Sequence, residues 1–149
     1  MDEDTIFNNK NSFLISWYKF RKSFEKFFRD ASTDLAINPA EIMFISEVYY
    51  HEGTSQREIA KNLYVSEANI AKTFKKLEEK GLIYKTIDKS NNTRRQLYLT
   101  EKGEDFFKDT IKLYKEFQTY IFEGYTEEEI ATMKKIMREI SDKSIDFVN

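Results

Sequence analysis

Apolar residues recur along this chain at intervals of three and four, and only four glycines and one proline break the pattern. That period lays apolar side chains along one face of an α-helix, so the chain is confined to a mainly α fold. Phe13, Trp17, Phe20, Phe24 and Phe27 place such a stripe on a first helix, from about Thr5 to Asp30. Asn38-Pro39-Ala40-Glu41 reads as the start of a second. Asn38 caps it, Pro39 occupies the first turn where its missing N–H costs nothing, and Glu41 reaches back to the cap. Ile42, Ile45, Val48 and Tyr49 form its inner face, and Gly53 ends it.

Ser55-Gln56-Arg57-Glu58 is a capping box that opens a short third helix, with Ile59, Ala60 and Leu63 inward. Tyr64-Val65 makes a tight turn. Ser66 then caps a fourth helix, whose Ile70, Phe74 and Leu77 face inward before Gly81 stops it. Two β-capable runs follow, Ile83 to Ile87 and Gln96 to Leu99, separated by the turn-forming residues Asp88-Lys89-Ser90-Asn91-Asn92-Thr93. Thr100 and Gly103 open a fifth helix bearing Phe106, Phe107, Ile111, Tyr114, Phe117 and Ile121, which Gly124 ends. Thr126-Glu127-Glu128-Glu129 caps a sixth, with Ile130, Met133, Met137 and Ile140 in line. The order predicts six helices and a two-stranded wing in a single domain, 1–149. Its central part, 54–103, holds a helix-turn-helix at 55–78 and the wing at 83–99, and helical segments 1–35 and 104–149 flank it.

Composition removes most chemistry. Without cysteine there is neither a disulfide nor a thiolate metal site, and the single histidine, His51, cannot build a multi-histidine cluster. His51 precedes Glu52 and Gly53 at a helix end, where the dipole favours a capping cation. Gly-rich phosphate loops and histidine-based triads are missing, so no enzyme and no cofactor are expected. The chain begins with Asp2, Glu3 and Asp4, and its longest apolar run is Ile42 to Ile45. Neither a secretory signal nor a membrane span is expected, and the expected compartment is the cytoplasm.

Net charge is −2, yet it is unevenly spread. Residues 54–103 carry 11 basic and 6 acidic side chains, against 13 basic and 20 acidic elsewhere. A basic centre between acidic ends suits a localised face for DNA. On the fourth helix the face opposite Ile70, Phe74 and Leu77 holds Ala68, Asn69, Lys72, Lys75, Lys76 and Glu79. A helix-turn-helix presents the start of its second helix to the major groove. There the Asn69 amide can read adenine, the lysines suit guanine edges or phosphates, and Ala68 can approach a thymine methyl. Lys89, Arg94 and Arg95 give the wing loop a basic character suited to phosphate or the minor groove. Ser55, Gln56 and Ser66 stand at helix N-termini, where phosphate is readily bound. A solvated charged face is the plainer account of the same helix. A winged-helix scaffold that binds protein, without sequence-specific DNA binding, is the alternative function.

Ser55-Gln56-Arg57-Glu58-Ile59-Ala60, Val65-Ser66-Glu67-Ala68-Asn69-Ile70 and Leu77-Glu78-Glu79-Lys80-Gly81-Leu82-Ile83 together resemble the helix-turn-helix of MarR-family regulators. Leu97-Tyr98-Leu99-Thr100-Glu101-Lys102-Gly103 is similar to that family's strand-to-helix signature after the wing. The order of the helices extends the likeness over nearly the whole chain. The resemblance implies an intertwined homodimer, joined through helices from both chain ends, that binds double-stranded operator DNA. It also implies repression relieved by a small aromatic or anionic effector. One departure is visible: the family's Asp-x-Arg wing signature falls on Asn91 and Thr93. Either Asp88 supports Arg94 in another register, or the salt-bridged wing tip is absent. The many aromatics fit dimerisation through the terminal helices, and Trp17, Tyr18, Phe44, Tyr49 and Phe107 are candidates for an effector cavity or for plain core.

Overall fold

A computed structural model of the chain describes residues 12–31 and 34–149. Among them are six helices: α1 (Phe13–Ala31), α2 (Pro39–Tyr50), α3 (Gln56–Asn62), α4 (Glu67–Glu79), α5 (Glu101–Ile121) and α6 (Glu127–Val148). Two strands, β1 (Ile83–Asp88) and β2 (Asn91–Leu99), form an antiparallel sheet between α4 and α5. The mainly helical winged fold is therefore as expected. Residues 5–11 of the expected first helix lie outside the described residues. No helix among the described residues is long and apolar enough to cross a membrane. The chain divides into two compact units, one extending to Thr110 and the other Ile111–Asn149.

Local chemistry sets the helix starts in the first unit. Asn38 Oδ1 accepts the Glu41 amide at 2.9 Å, and the Glu41 carboxylate accepts the Asn38 amide at 3.1 Å. Ser55 and Glu58 repeat that exchange, and Ser66 Oγ accepts the Asn69 amide at 3.2 Å. The turn between α3 and α4 depends on Tyr64, a non-glycine residue at φ 54°, with the Val65 amide returning to the Ala60 carbonyl at 3.0 Å. Phe44, Ile45 and Val48 from α2, Ile59 from α3, Ile70, Phe74 and Leu77 from α4, Ile83 and Leu97 from the wing, and Phe107 from α5 are all buried. Full burial of each large side chain contributes about 1.5–3 kcal/mol.

The wing departs from expectation at its tip. Pairing runs from Ile83↔Leu99 to Ile87↔Arg95 and then shifts to Asp88↔Asn91. The expected turn over 88–93 contracts to Lys89 and Ser90, and β2 begins at Asn91. Side-chain hydrogen bonds explain this. Asp88 Oδ1 accepts the Ser90 amide and hydroxyl at 2.9 and 2.7 Å, while Asn91 Oδ1 accepts the Thr93 amide and hydroxyl at 3.1 and 2.6 Å. These polar residues bond to their near neighbours, as turn formers do, yet still enter a strand.

The opposite edge of β2 is also used. The Leu97 amide donates to the Thr54 carbonyl at 2.8 Å, and the Gly53 amide donates to the Leu97 carbonyl at 3.0 Å. Backbone pairing thus ties the start of α3 to the wing. At the other end of the wing, the Thr100 amide donates to the Leu82 carbonyl at 3.0 Å, and its hydroxyl to the Gly81 carbonyl at 2.6 Å.

Not every apolar stripe is covered. On α1, Phe28 is buried and Phe24 and Phe27 are half-buried, whereas Phe13, Trp17 and Phe20 are exposed. In the second unit Thr126 and Glu129 cap α6, which buries no residue at all and exposes Met133, Ile136, Ile140 and Phe147.

Candidate nucleic-acid interface

Helix α4 carries two faces. Ile70, Phe74 and Leu77 lock it into the core, and a rotation of 100° per residue turns Ala68, Asn69, Lys72, Lys75, Lys76 and Glu79 outward. All six are exposed. The Ser66 hydroxyl is committed to the cap through the Asn69 amide, so it fixes the backbone from which the exposed Asn69 side chain projects. No ion pair among the described residues engages Lys72, Lys75 or Lys76. Lys85, a residue the sequence reading missed, extends from β1 with its ammonium 5.1 Å from the Phe74 ring centroid. The β-capable run Ile83 to Ile87 assigned it only to a strand.

The wing's basic residues have different surroundings. Lys89 is exposed at the turn, and the Arg95 guanidinium donates to the Asn92 carbonyl at 2.9 Å. Arg94 lies 3.6 Å from the Glu58 carboxylate, beside the N-terminus of α3, where Ser55 and Gln56 are half-buried. Glu58 accepts the Ser55 amide at 2.8 Å and the Thr54 hydroxyl at 3.2 Å. The Ser55 amide above all, with Arg94 contributing, holds its carboxyl below the ordinary range. Asp88 is lowered too, first by the Ser90 hydroxyl and more weakly by the charge of Arg94. Both carboxyls are ionised at neutral pH. Glu58 was legible as a cap, but its link to the wing was not.

The effector candidates do not assemble into one group. Tyr49 and Phe107 are in ring contact, their centroids 4.8 Å apart. Tyr50, which was not among the candidates, packs edge-on to both. Phe44 is fully buried in the core, whereas Trp17 and Tyr18 are exposed on α1. Arg21 and Lys22 approach the Tyr18 ring at 5.8 and 5.9 Å. No group of three or more potential metal-ligating side chains occurs among the described residues.

Known proteins match this arrangement. The model of the MarR family matches residues 37–94, from the start of α2 through most of the wing. The matched segment, which holds the helix-turn-helix and most of the wing, is MarR-like. It is 27% identical over 108 residues to the uncharacterized HTH-type transcriptional regulator YybA of Bacillus subtilis, covering 72% of this chain and 71% of that one. It is 29% identical over 135 residues to the HTH-type transcriptional regulator Hpr of Halalkalibacterium halodurans, covering 83% and 68%. Among solved structures, MarR itself is similar at a TM-score of 0.76 and 22% identity, over 99% of this chain and 96% of that one. The MepR–DNA complex of Staphylococcus aureus gives 0.80 at 20% identity, over 91% and 99%. Both of the relatives, YybA and Hpr, are named as helix-turn-helix transcriptional regulators.

Against the MarR pattern, the wing departure now has a structural form. Asn91 and Thr93, at the Asp-x-Arg positions, bond to each other without charge. Arg94 takes its carboxylate from α3. A charged contact within the wing is replaced by a neutral one, and the charged contact joins the wing to the helix-turn-helix.

Proposed function

We propose that this regulator binds duplex DNA in a sequence-specific manner, as a homodimer on an inverted-repeat operator, and represses transcription in the cytoplasm. The observation that carries the reading is the exposed Asn69–Lys72–Lys75–Lys76 face of α4, held rigid by the buried Ile70, Phe74 and Leu77. Ala68 allows close approach of the first turn, and Ser55, Gln56 and Ser66 direct helix N-termini at phosphates. Lys89, Arg94 and Arg95 extend the positive surface along the wing. The similar fold of MepR, solved in complex with DNA, supports the same use here.

Dimerisation is supported by the uncovered stripes of α1 and α6, where large apolar side chains recur along one helix face and stand exposed. Segments 1–35 and 104–149 supply that interface, and 54–103 supplies the DNA contacts. Equilibrium sedimentation at micromolar concentration is expected to return twice the mass of the 17.8 kDa chain. A small aromatic or anionic effector releases the DNA, with Tyr49 and Phe107, which are in ring contact, among the residues that would respond to it.

The decisive experiment is site selection from random duplexes. It is expected to recover an inverted repeat with half-sites about 10 base pairs apart, since both recognition helices must enter one side of the duplex. Asn69→Ala is expected to relax one symmetric pair of positions, at roughly 1–3 kcal/mol per half-site, because its amide can satisfy N6 and N7 of one adenine. An unchanged consensus would remove Asn69 from the reading residues. Absence of any salt-dependent DNA binding would leave the protein-binding scaffold as the better account.

A further inference from the structure

We infer that Glu41 and Lys80 are positioning residues that fix the C-terminal end of the recognition helix α4 and thereby set the half-site spacing the dimer accepts. The inference rests on the DNA-binding reading above. Glu41 is 4% exposed, whereas Glu58, which makes the same capping exchange for α3, is exposed. A cap needs no buried charge, since a glutamine amide oxygen serves as well. Burying a carboxylate is costly unless a cation and hydrogen bonds accompany it. The cation is Lys80, the residue that caps the C-terminus of α4, 3.5 Å away.

Lys80 does more than neutralise Glu41. Its ammonium donates to the Ala36 carbonyl at 3.1 Å. Ala36 is a non-glycine residue at φ 49°, so this contact holds that residue in a conformation alanine seldom adopts. From the other side, the Lys102 ammonium donates to the Lys80 carbonyl at 2.9 Å. The end of α4 is thus clamped between the connection from α1, which carries the exposed aromatic stripe, and the start of α5. Thirteen residues make α4 about 20 Å long. A tilt of about 10° around a loosened C-terminus would move its first turn by about 3 Å, nearly the rise of one base pair, about 3.4 Å. The clamp therefore acts at the end of α4 where a small tilt is magnified at the first turn.

The test is Kd on duplexes whose half-sites stand at the preferred spacing and one base pair to either side. Thermal unfolding establishes that each variant is folded. Wild type is expected to lose about tenfold or more for the shifted spacing, the scale of a mismatched site. Glu41→Gln, which keeps the cap, and Lys80→Met, which keeps the stem, are each expected to lose about threefold or less. If Lys80→Met alone fails to fold because Glu41 is left unpaired, the double variant with Glu41→Gln removes that charge and takes its place. Folded variants with a wild-type spacing profile overturn the inference and leave the DNA-binding reading intact. So does equal weakening at every spacing. A wild type that sediments as a monomer, or shows no preferred spacing, overturns the dimeric reading and the inference with it.

Discussion

Gly103→Ala is expected to destabilise the fold by about 3 kcal/mol or more, at or above the top of the usual range for overpacking. A β-carbon at this position would stand 2.0 Å from the Leu82 carbonyl oxygen and 3.0 Å from its carbon. Both obstacles are backbone, so no side chain can swing aside. The Leu82 carbonyl is itself held by the Thr100 amide, and the Gly103 amide by the Thr100 hydroxyl. Retreat from the new methyl would break the joint where α5 meets the end of the wing-proximal turn. Alanine's better helix propensity offsets only about 1 kcal/mol of that loss. Thermal unfolding should fall by roughly 6–12 °C for a chain of this size. Gly81→Ala supplies the comparison: its φ is 72° but nothing lies within 4 Å, so only left-handed strain opposes it, about 1–2 kcal/mol. A Gly103→Ala protein as stable as wild type would mean that α5 does not approach Leu82 as closely as this.

These two glycines illustrate what a sequence discloses. Gly81 was readable as a helix stop because its role is local, and so were the caps Asn38, Ser55, Ser66 and Thr126, each of which bonds within three residues of itself. The periodic stripes located the helices for the same reason. Gly103 was placed at a helix start, but its need for a bare α-carbon comes from Leu82, across a chain reversal that no short pattern records. The wing tip misled in the other direction. Asp88, Ser90, Asn91 and Thr93 have the composition of a long loop, yet their side chains satisfy one another and leave the backbone free to pair. Arg94–Glu58 and Lys80–Glu41 join residues far apart in sequence, and nothing in either neighbourhood announces the partner. The basic face of α4 was legible because burial of Ile70, Phe74 and Leu77 dictates by rotation what must face outward.

The triple variant Lys72→Ala, Lys75→Ala, Lys76→Ala should abolish most DNA affinity while sparing the fold. All three side chains are exposed, where substitutions usually change stability by less than about 0.5 kcal/mol. Alanine is moreover a better helix former than lysine, so α4 should persist with its apolar face in place. In the proposed homodimer, two protomers would present six of these charges to one duplex. If each displaces a counterion from a phosphate, the slope of log Kd against log salt flattens by about 5, at about 0.9 per contact. At about 0.15 M salt the accompanying loss should exceed roughly a hundredfold. Slope and magnitude separate the roles of the lysines. A large loss with an unchanged slope assigns them to base edges, since such contacts release few ions. A flattened slope with the consensus preserved assigns them to phosphates and leaves sequence reading to Asn69. Wild-type affinity and slope in a folded triple variant would mean that this face is ordinary solvated surface, and α4 would lose its place as the reading element. Circular dichroism on the same samples keeps that outcome from being mistaken for misfolding.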